Sequence, residues 1–410
     1  MSNWIVTIKD IKEAQNKIKD FIVLSDLIYC YKLSKQCHAK IYIKLENTQI
    51  VKSFKIRGAA NALMHLNKQQ KKHGVIAASA GNHAQGVAYA ASQMGIKATI
   101  VMPSSAPLSK INATTDFGAQ VVLAPSPIFD DANKLSQELA KKNNFTLIPP
   151  YDNRYVIAGQ GTIGLEILKQ HPEIDTIIVQ IGGGGLISGI TIAAKSIKPD
   201  IRIIGVQVEN FPAMYNNFNK TSLKTKRLYV PTIADGISVK QPSQYAASIV
   251  KKYVDQVVTV TNEEVEDAIR YIAEVNKIIV EGAGATGFAA ILANKVNVAN
   301  RHVAVIASGG NIDVDRFIQS INRSLAFHQR RFFMTFNYRP QDLSKLLSAL
   351  QSAGAKAYDG ISEKLITDQY PQTSDSVRWV IFLSKDSDQA TLFVKLKKIG
   401  IKYKITNCLA

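Results

Sequence analysis

The sequence predicts an α/β protein with a mostly parallel sheet, followed by a smaller βαββαβ unit of ferredoxin-like type. Three observations predict it. Short apolar runs alternate with helical patterns over most of the chain, the order of successive βαβ units. Several of these runs are apolar on both faces, as strands covered on both sides are. After about residue 321 the pattern changes to a short series of strands and helices of its own.

The elements follow in order. Asp10 to Ile22 carries apolar Ile11, Ala14, Ile18 and Phe21, a helical spacing. Ile41–Leu45 reads as a strand. Val75–Ala78 is a strand feeding a helix through Gly81 and Asn82, and Ala98–Met102 is a strand stopped by Pro103. Thr176–Ile181, Ile203–Val208 and Val303–Ala307 read as buried parallel strands, each followed by a loop rich in Gly, Asn, Ser or Pro. Asn322 to Arg331 is a polar, basic connection. Beyond it come a strand at Phe332–Phe336, a helix at Leu343–Leu350 and a strand near Lys356–Glu363. A strand at Trp379–Leu383, a helix at Gln389–Lys398 and a last strand at Ile401–Ile405 complete the unit.

Composition narrows the function classes. A chain of 410 residues is too long for one typical core and calls for two or three. Hydrophobic residues at 46% and charged residues at 20% are ordinary for a globular protein. The net charge of +18 raises the question of nucleic acid. The basic residues argue against it, because they come as scattered pairs such as Lys71-Lys72, Lys141-Lys142 and Lys251-Lys252 with no aromatic interleaving. Cys30, Cys37 and Cys408 form an odd, sparse set, as expected of reduced thiols in the cytoplasm. The first residues lack a signal-peptide layout. Ile177 to Ala194 is uncharged and long enough to span a bilayer, but Gln180, four glycines, Ser188 and Thr191 interrupt it. A strand, a glycine loop and a helix explain it, and no membrane role is expected.

Four segments carry chemistry. Ser53-Phe54-Lys55-Ile56-Arg57-Gly58-Ala59 places a lysine before a helix among small residues, where it can form a Schiff base. Ser79-Ala80-Gly81-Asn82-His83-Ala84-Gln85-Gly86 is a strand-to-helix turn whose open amides favour a carboxylate. Gly182-Gly183-Gly184-Gly185-Leu186 exposes successive amides to a phosphate at a helix start. Ser308-Gly309-Gly310-Asn311 sets a hydroxyl at the carboxyl edge of the sheet, where ligands bind in open α/β folds. Each alone has an ordinary reading: a surface lysine, an Asn-bearing cap, a flexible turn, a simple loop. Together they fit one ligand with an aldehyde, an aromatic ring and a phosphate.

With Ile157-Ala-Gly-Gln-Gly-Thr162 and Glu281-Gly-Ala-Gly-Ala285, the set resembles the threonine dehydratase (threonine ammonia-lyase) family of fold-type II pyridoxal-phosphate enzymes, from about residue 10 to 320. The resemblance implies two αβα lobes in a catalytic domain over 1–321, with a small lobe at about 46–150 inserted in the large one. It implies that Lys55 carries pyridoxal 5′-phosphate, with Phe54 beside it, and that Asn82 contacts the ring's 3-oxygen. Gly182, Gly183, Gly184, Gly185 and Leu186 would hold the phosphate, and Ser308 would bond the ring nitrogen. Ser79, Ala80, Gly81, Asn82 and His83 would hold the substrate carboxylate. The implied reaction is β-elimination of L-threonine to 2-oxobutyrate and ammonia, with L-serine to pyruvate as a second reaction.

Related families differ at named positions. Cysteine synthases have Thr-Ser-Gly-Asn-Thr where this chain has Ser79-Ala-Gly-Asn-His83. Serine racemases have a serine at the place of Ala80 as a second proton carrier. Their cation site would use Glu209, a carbonyl near Ala213 and an Asp where Tyr215 stands, so no metal is expected. A serine-preferring dehydratase or a racemase-like enzyme remains the alternative, and a binding protein built on a dead enzyme is a further one. Residues 332–410, after a linker at 322–331, resemble a single ACT-like regulatory domain for an amino-acid or nucleotide effector. Arg339-Pro340 fits the start of its effector loop, while Gln341 stands where a glycine is customary and Asp342 follows. The family implies a homo-oligomer, dimer or tetramer, in amino-acid metabolism such as isoleucine biosynthesis or threonine breakdown.

Overall fold

The computed structural model describes residues 5–224, 228–328, 330–337, 342–358, 376–383 and 389–406. The chain divides into two compact units, Met1–Asp313 and Val314–Ala410.

The first unit holds two sheets. The larger has the order β1 (Leu27–Tyr29), β2 (Lys40–Lys44), β10 (His302–Ile306), β7 (Thr176–Gln180), β8 (Arg202–Val208), β9 (Gln256–Val260). Only the β1–β2 pair is antiparallel. The smaller sheet has the order β5 (Gln120–Leu123), β4 (Ala98–Met102), β3 (Val75–Ala78), β6 (Thr146–Leu147), all parallel. The chain therefore leaves the large sheet after β2, builds the small sheet, and returns at β7. The Val/Ile-rich strands β7, β8 and β10 are buried at nearly every position, as a parallel sheet covered by helices on both faces requires.

The uncharged tract Ile177–Ala194 is a strand, a glycine loop and the helix Gly185–Ile197. Among the described residues, no helix is long and apolar enough to cross a membrane. The first helix runs Ile8–Ile18, where the spacing predicted Asp10–Ile22. It starts earlier because Thr7 and Asp10 form a capping box, a local signal in the sequence. It stops at Ile18, and Phe21 N–H closes a turn on the Ile18 carbonyl. The helix Lys55–Met64 lies unusually close to the helix Arg154–Gln170: a Cβ on Gly159 would stand 2.5 Å from the Arg57 carbonyl oxygen. Only glycine allows that approach.

The second unit carries a four-stranded antiparallel sheet in the order β12 (Ala355–Tyr358), β13 (Ser376–Leu383), β11 (Arg331–Asn337), β14 (Lys402–Thr406). With the helices Leu343–Ser352 and Gln389–Lys398 between strands, this is the βαββαβ order. Its core includes Met334, Phe336, Leu346, Leu350, Ile381 and Leu392. Residues 322–331, read from sequence as a linker, include the end of the helix Val314–Phe327 and the first residue of β11. Arg339, Pro340, Gln341, the end of the expected strand near Glu363, and Cys408 lie outside the described residues.

Candidate active site

Lys55 is the first residue of its helix, and Phe54 precedes it. Phe54 N–H donates to the Ser308 carbonyl at 3.0 Å, and Ser53 forms a bridge with Gly309. The lysine segment is thus laid against the loop that follows β10. Lys55 Nζ donates to the Pro150 carbonyl at 3.1 Å and stands 5.2 Å from the centre of the Phe54 ring. Burial pushes the amine down to about 8, against the opposing pull of the Glu281 carboxylate. A desolvated amine near neutrality is a competent nucleophile and base.

The second segment sits where β3 ends and the helix Asn82–Gln93 begins. That helix has no side-chain cap, and its first backbone bond runs from Gln85 N–H to the Gly81 carbonyl. The amides of Asn82, His83 and Ala84 have no partner within the helix, which suits an anion. Ser79 Oγ is already used, accepting from Gly81 N–H at 3.2 Å. Ser79 N–H bonds the Val101 carbonyl. Ala80 is partly buried against the small-lobe core. The His83 ring faces away from solvent, with Nε2 2.8 Å from the Ile148 carbonyl. Burial, and then the nearby Lys55, push His83 down to about 3, so the ring is neutral and Nε2–H is the donor. Its side chain is a structural strut, and its backbone amide is what it can offer a ligand.

The third segment follows β7. Gly184 has φ +95° and precedes the helix Gly185–Ile197, which also lacks a side-chain cap. The first intrahelical bond is Ser188 N–H to the Gly184 carbonyl at 3.0 Å, so the amides of Gly185, Leu186 and Ile187 have no helical partner. A Cβ on Gly183 would lie 2.3 Å from the Tyr151 ring, and one on Gly184 2.4 Å from the Ala246 Cβ. Gly182 leads into this loop. Tyr151 directly follows Pro150, the acceptor of the lysine amine, so loop and lysine meet on one short stretch of chain.

The fourth segment closes the ring. Ser308 is buried at the end of β10. Asn311 Nδ2 lies 2.6 Å from Asn82 Oδ1, 2.9 Å from the Val51 carbonyl and 3.1 Å from Gln85 Oε1. Asn82 Nδ2 donates to Glu281 Oε1 at 2.7 Å.

The residues fit a group that bears an aldehyde and a phosphate. The amine is desolvated, the glycine loop offers uncapped amides at a helix start, and beside the lysine the buried Ser53 Oγ has no hydrogen-bond partner. Sequence reasoning gave no role to Glu281, Asn311, Gln85, Pro150 or Tyr151, all of which the fold brings to this place. The signal for Glu281 was present: a carboxylate directly before a glycine-rich helix start, Gly282–Leu292. Arg57 was also passed over. It is fully buried and bonds both Glu46 and Glu166, while Lys44 Nζ stands 2.7 Å from Glu166. Tyr215, where an Asp would complete a cation site, packs against the large-lobe core.

Comparison with known proteins agrees with this geometry. The sequence model of the pyridoxal-phosphate dependent enzyme family matches residues 18–309. The L-threonine ammonia-lyase of Thermotoga maritima is 47% identical over 354 residues, 86% of this chain and 87% of that protein. The processed form of threonine deaminase isoform 2 from Solanum lycopersicum superposes with a TM-score of 0.72 at 35% identity, covering 77% of this chain and 87% of that one. Maize serine racemase superposes with a TM-score of 0.72 at 33% identity, covering 80% of this chain and all of that one (100%).

Proposed function

Because the chain belongs to the family of pyridoxal-phosphate dependent enzymes, we propose that Lys55 carries the cofactor and later serves as the base of the reaction. The reaction is the β-elimination of L-threonine to 2-oxobutyrate and ammonia, and the cofactor is pyridoxal 5′-phosphate. The observation that carries the site assignment is the buried Lys55 amine on the Pro150 carbonyl, in a segment whose Phe54 N–H is bonded to the Ser308 loop.

Bound pyridoxal phosphate supplies the electron sink that makes the substrate Cα proton acidic. The other steps belong to the chain's own residues. The amides of Gly183, Gly184, Gly185 and Leu186, with Gly182 leading in, hold the phosphate at the positive end of their helix. The Ser308 hydroxyl bonds the ring nitrogen as a neutral partner, and Asn82 gives an N–H to the ring oxygen. The amides at the start of the helix Asn82–Gln93 hold the substrate carboxylate. Lys55 Nζ then takes the Cα proton as a positioned base. Loss of that proton and the β-hydroxyl removes water, and hydrolysis returns it, so the products balance as 2-oxobutyrate and ammonia.

The same site takes L-serine and yields pyruvate, because one methyl is worth only about 1–3 kcal/mol of discrimination. Ala80 has no proton to give, which disfavours the racemase reading. The 1–321 region serves as the catalytic domain and the βαββαβ unit as an ACT-like regulatory domain for an amino-acid or nucleotide effector. The protein works as a homo-oligomer in the cytoplasm, a setting that suits the free thiols of Cys30 and Cys37.

Lys55→Ala tests the assignment. Turnover of threonine falls to background, and borohydride no longer fixes the cofactor to the chain. Wild-type turnover in that variant would remove Lys55 from its role.

A further inference from the structure

Among the described residues, Glu281 is the buried carboxylate that the fold brings to this site. It is only 6% exposed, yet Asn82 Nδ2 lies 2.7 Å from its Oε1. An ionised carboxylate can only accept hydrogen bonds, so Asn82 must turn its NH2 toward Glu281 and its oxygen away. That oxygen then needs a donor, and Asn311 Nδ2 stands 2.6 Å from it. Asn311 in turn reaches the Val51 carbonyl and Gln85 Oε1, both acceptors. Two acceptor-only groups, the Glu281 carboxylate at one end and the Val51 carbonyl at the other, therefore set the direction of the amide chain. Asn82 is left with a second N–H to present to the site.

We propose that Glu281 is a positioning residue that fixes the side-chain amide of Asn82 as a hydrogen-bond donor toward the cofactor. The proposal rests on the reading of the site as a pyridoxal-phosphate lyase site, and it assigns a role to a residue outside the four segments.

The surroundings make this device sensitive to pH. Burial, and then Asp235, push the Glu281 carboxyl up to about 7, while Asn82, Lys110 and Lys55 pull the other way. These charged groups reach it from the 3-10 turn Asp235–Ile237, the helix Leu108–Asp116 and the helix Lys55–Met64. Lys110 Nζ itself pairs with Asp235 Oδ2 at 3.4 Å. Below the midpoint a protonated Glu281 can donate, and the carboxylate end of the chain no longer holds the Asn82 NH2.

The test is a double-mutant cycle on the full chain, with pyridoxal phosphate titrated into apoprotein and binding followed by absorbance. Glu281→Gln and Asn82→Ala are each expected to weaken cofactor binding about tenfold. The double variant is expected to match Asn82→Ala alone, because Glu281 acts through Asn82. Additive losses, or full binding by Glu281→Gln, would overturn the proposal, since a merely structural carboxylate gives one or the other. Wild type and Asn82→Ala supply a second reading that needs no change at Glu281. Acidification weakens binding in both proteins through Lys55, and wild type shows in addition a step near 7 that Asn82→Ala lacks; the same pH dependence in both proteins contradicts the proposal. Failure of the lyase reading is separate, because it would show as wild-type protein that binds no cofactor or yields no 2-oxo acid.

Discussion

The two roles proposed for Lys55, carrying the cofactor and taking the Cα proton, both need a neutral amine. Burial lowers its ordinary value to about 8, so a tenth of the amines are neutral about one unit below that. The rate at which pyridoxal phosphate attaches to apoprotein should therefore climb with pH and level off above about 8; stopped-flow absorbance measures it. A rate independent of pH between about 6 and 9 would mean the amine is not desolvated as the geometry requires. His83 adds no limb to that profile, because it is held neutral down to about 3. At this scale the sequence was informative where chemistry is local. Lys55, the glycine loop and Ser308 each sit in a short segment with its own physical logic. Glu281 was not legible as a partner of Asn82, because 199 residues separate them and only the fold joins them. The side-chain role of His83 was equally hidden, since its partner is the Ile148 carbonyl in the strand region beyond β6.

Two elements hold the site, a loop and a helix. In the loop, Gly184 has φ +95° and no room for a Cβ beside Ala246. Gly184→Ala should weaken pyridoxal phosphate binding and lower the melting temperature, at a cost of about 1–3 kcal/mol. Equilibrium titration and a thermal melt measure both, and an unchanged affinity would deny the loop its phosphate. The helix Lys55–Met64 is tied down two residues after the lysine by Arg57, which Glu46 and Glu166 grip without access to water. Arg57→Met strands two carboxylates in the core, with Lys44 left to one of them. Breaking a buried pair in this way costs about 3–5 kcal/mol, to be read from denaturant unfolding. The same cluster gives a pH dependence. Burial opposes the charge on Glu46, but Arg57 outweighs it and holds the carboxyl below its ordinary 4.5. A depressed folded value means stability that is complete above 4.5 and is lost as pH falls through the folded value. Arg57→Met should lose that acid limb. The strands of this region were readable from their apolar runs, whereas the buried charge cluster was not, because Arg57, Glu46, Glu166 and Lys44 look like surface residues until their partners are known.

Over the whole molecule, the large and small sheets are one unit and the βαββαβ sheet another. The buried strands β7, β8 and β10 and the order of the last unit were visible in the pattern. The strands β1, β5, β6 and β9 were not, because short runs that are partly exposed mix polar with apolar positions and carry little periodicity. If the second unit is regulatory, a chain ending at residue 313 should keep threonine turnover and lose any response to an added amino acid or nucleotide. Steady-state rates with and without candidate effectors check this, and loss of all turnover would mean that the second unit is needed for catalysis itself. The proposed role of Lys55, the glycine loop and Ser308 is to turn threonine into 2-oxobutyrate and ammonia. The most direct test is the absorbance spectrum of the purified protein, followed by threonine addition and an assay for 2-oxobutyrate. The expected result is a cofactor band that borohydride bleaches and 2-oxobutyrate that appears with ammonia in equal amounts. A borohydride-sensitive band with no 2-oxo acid from threonine or serine, or no band after pyridoxal phosphate is supplied, would contradict it.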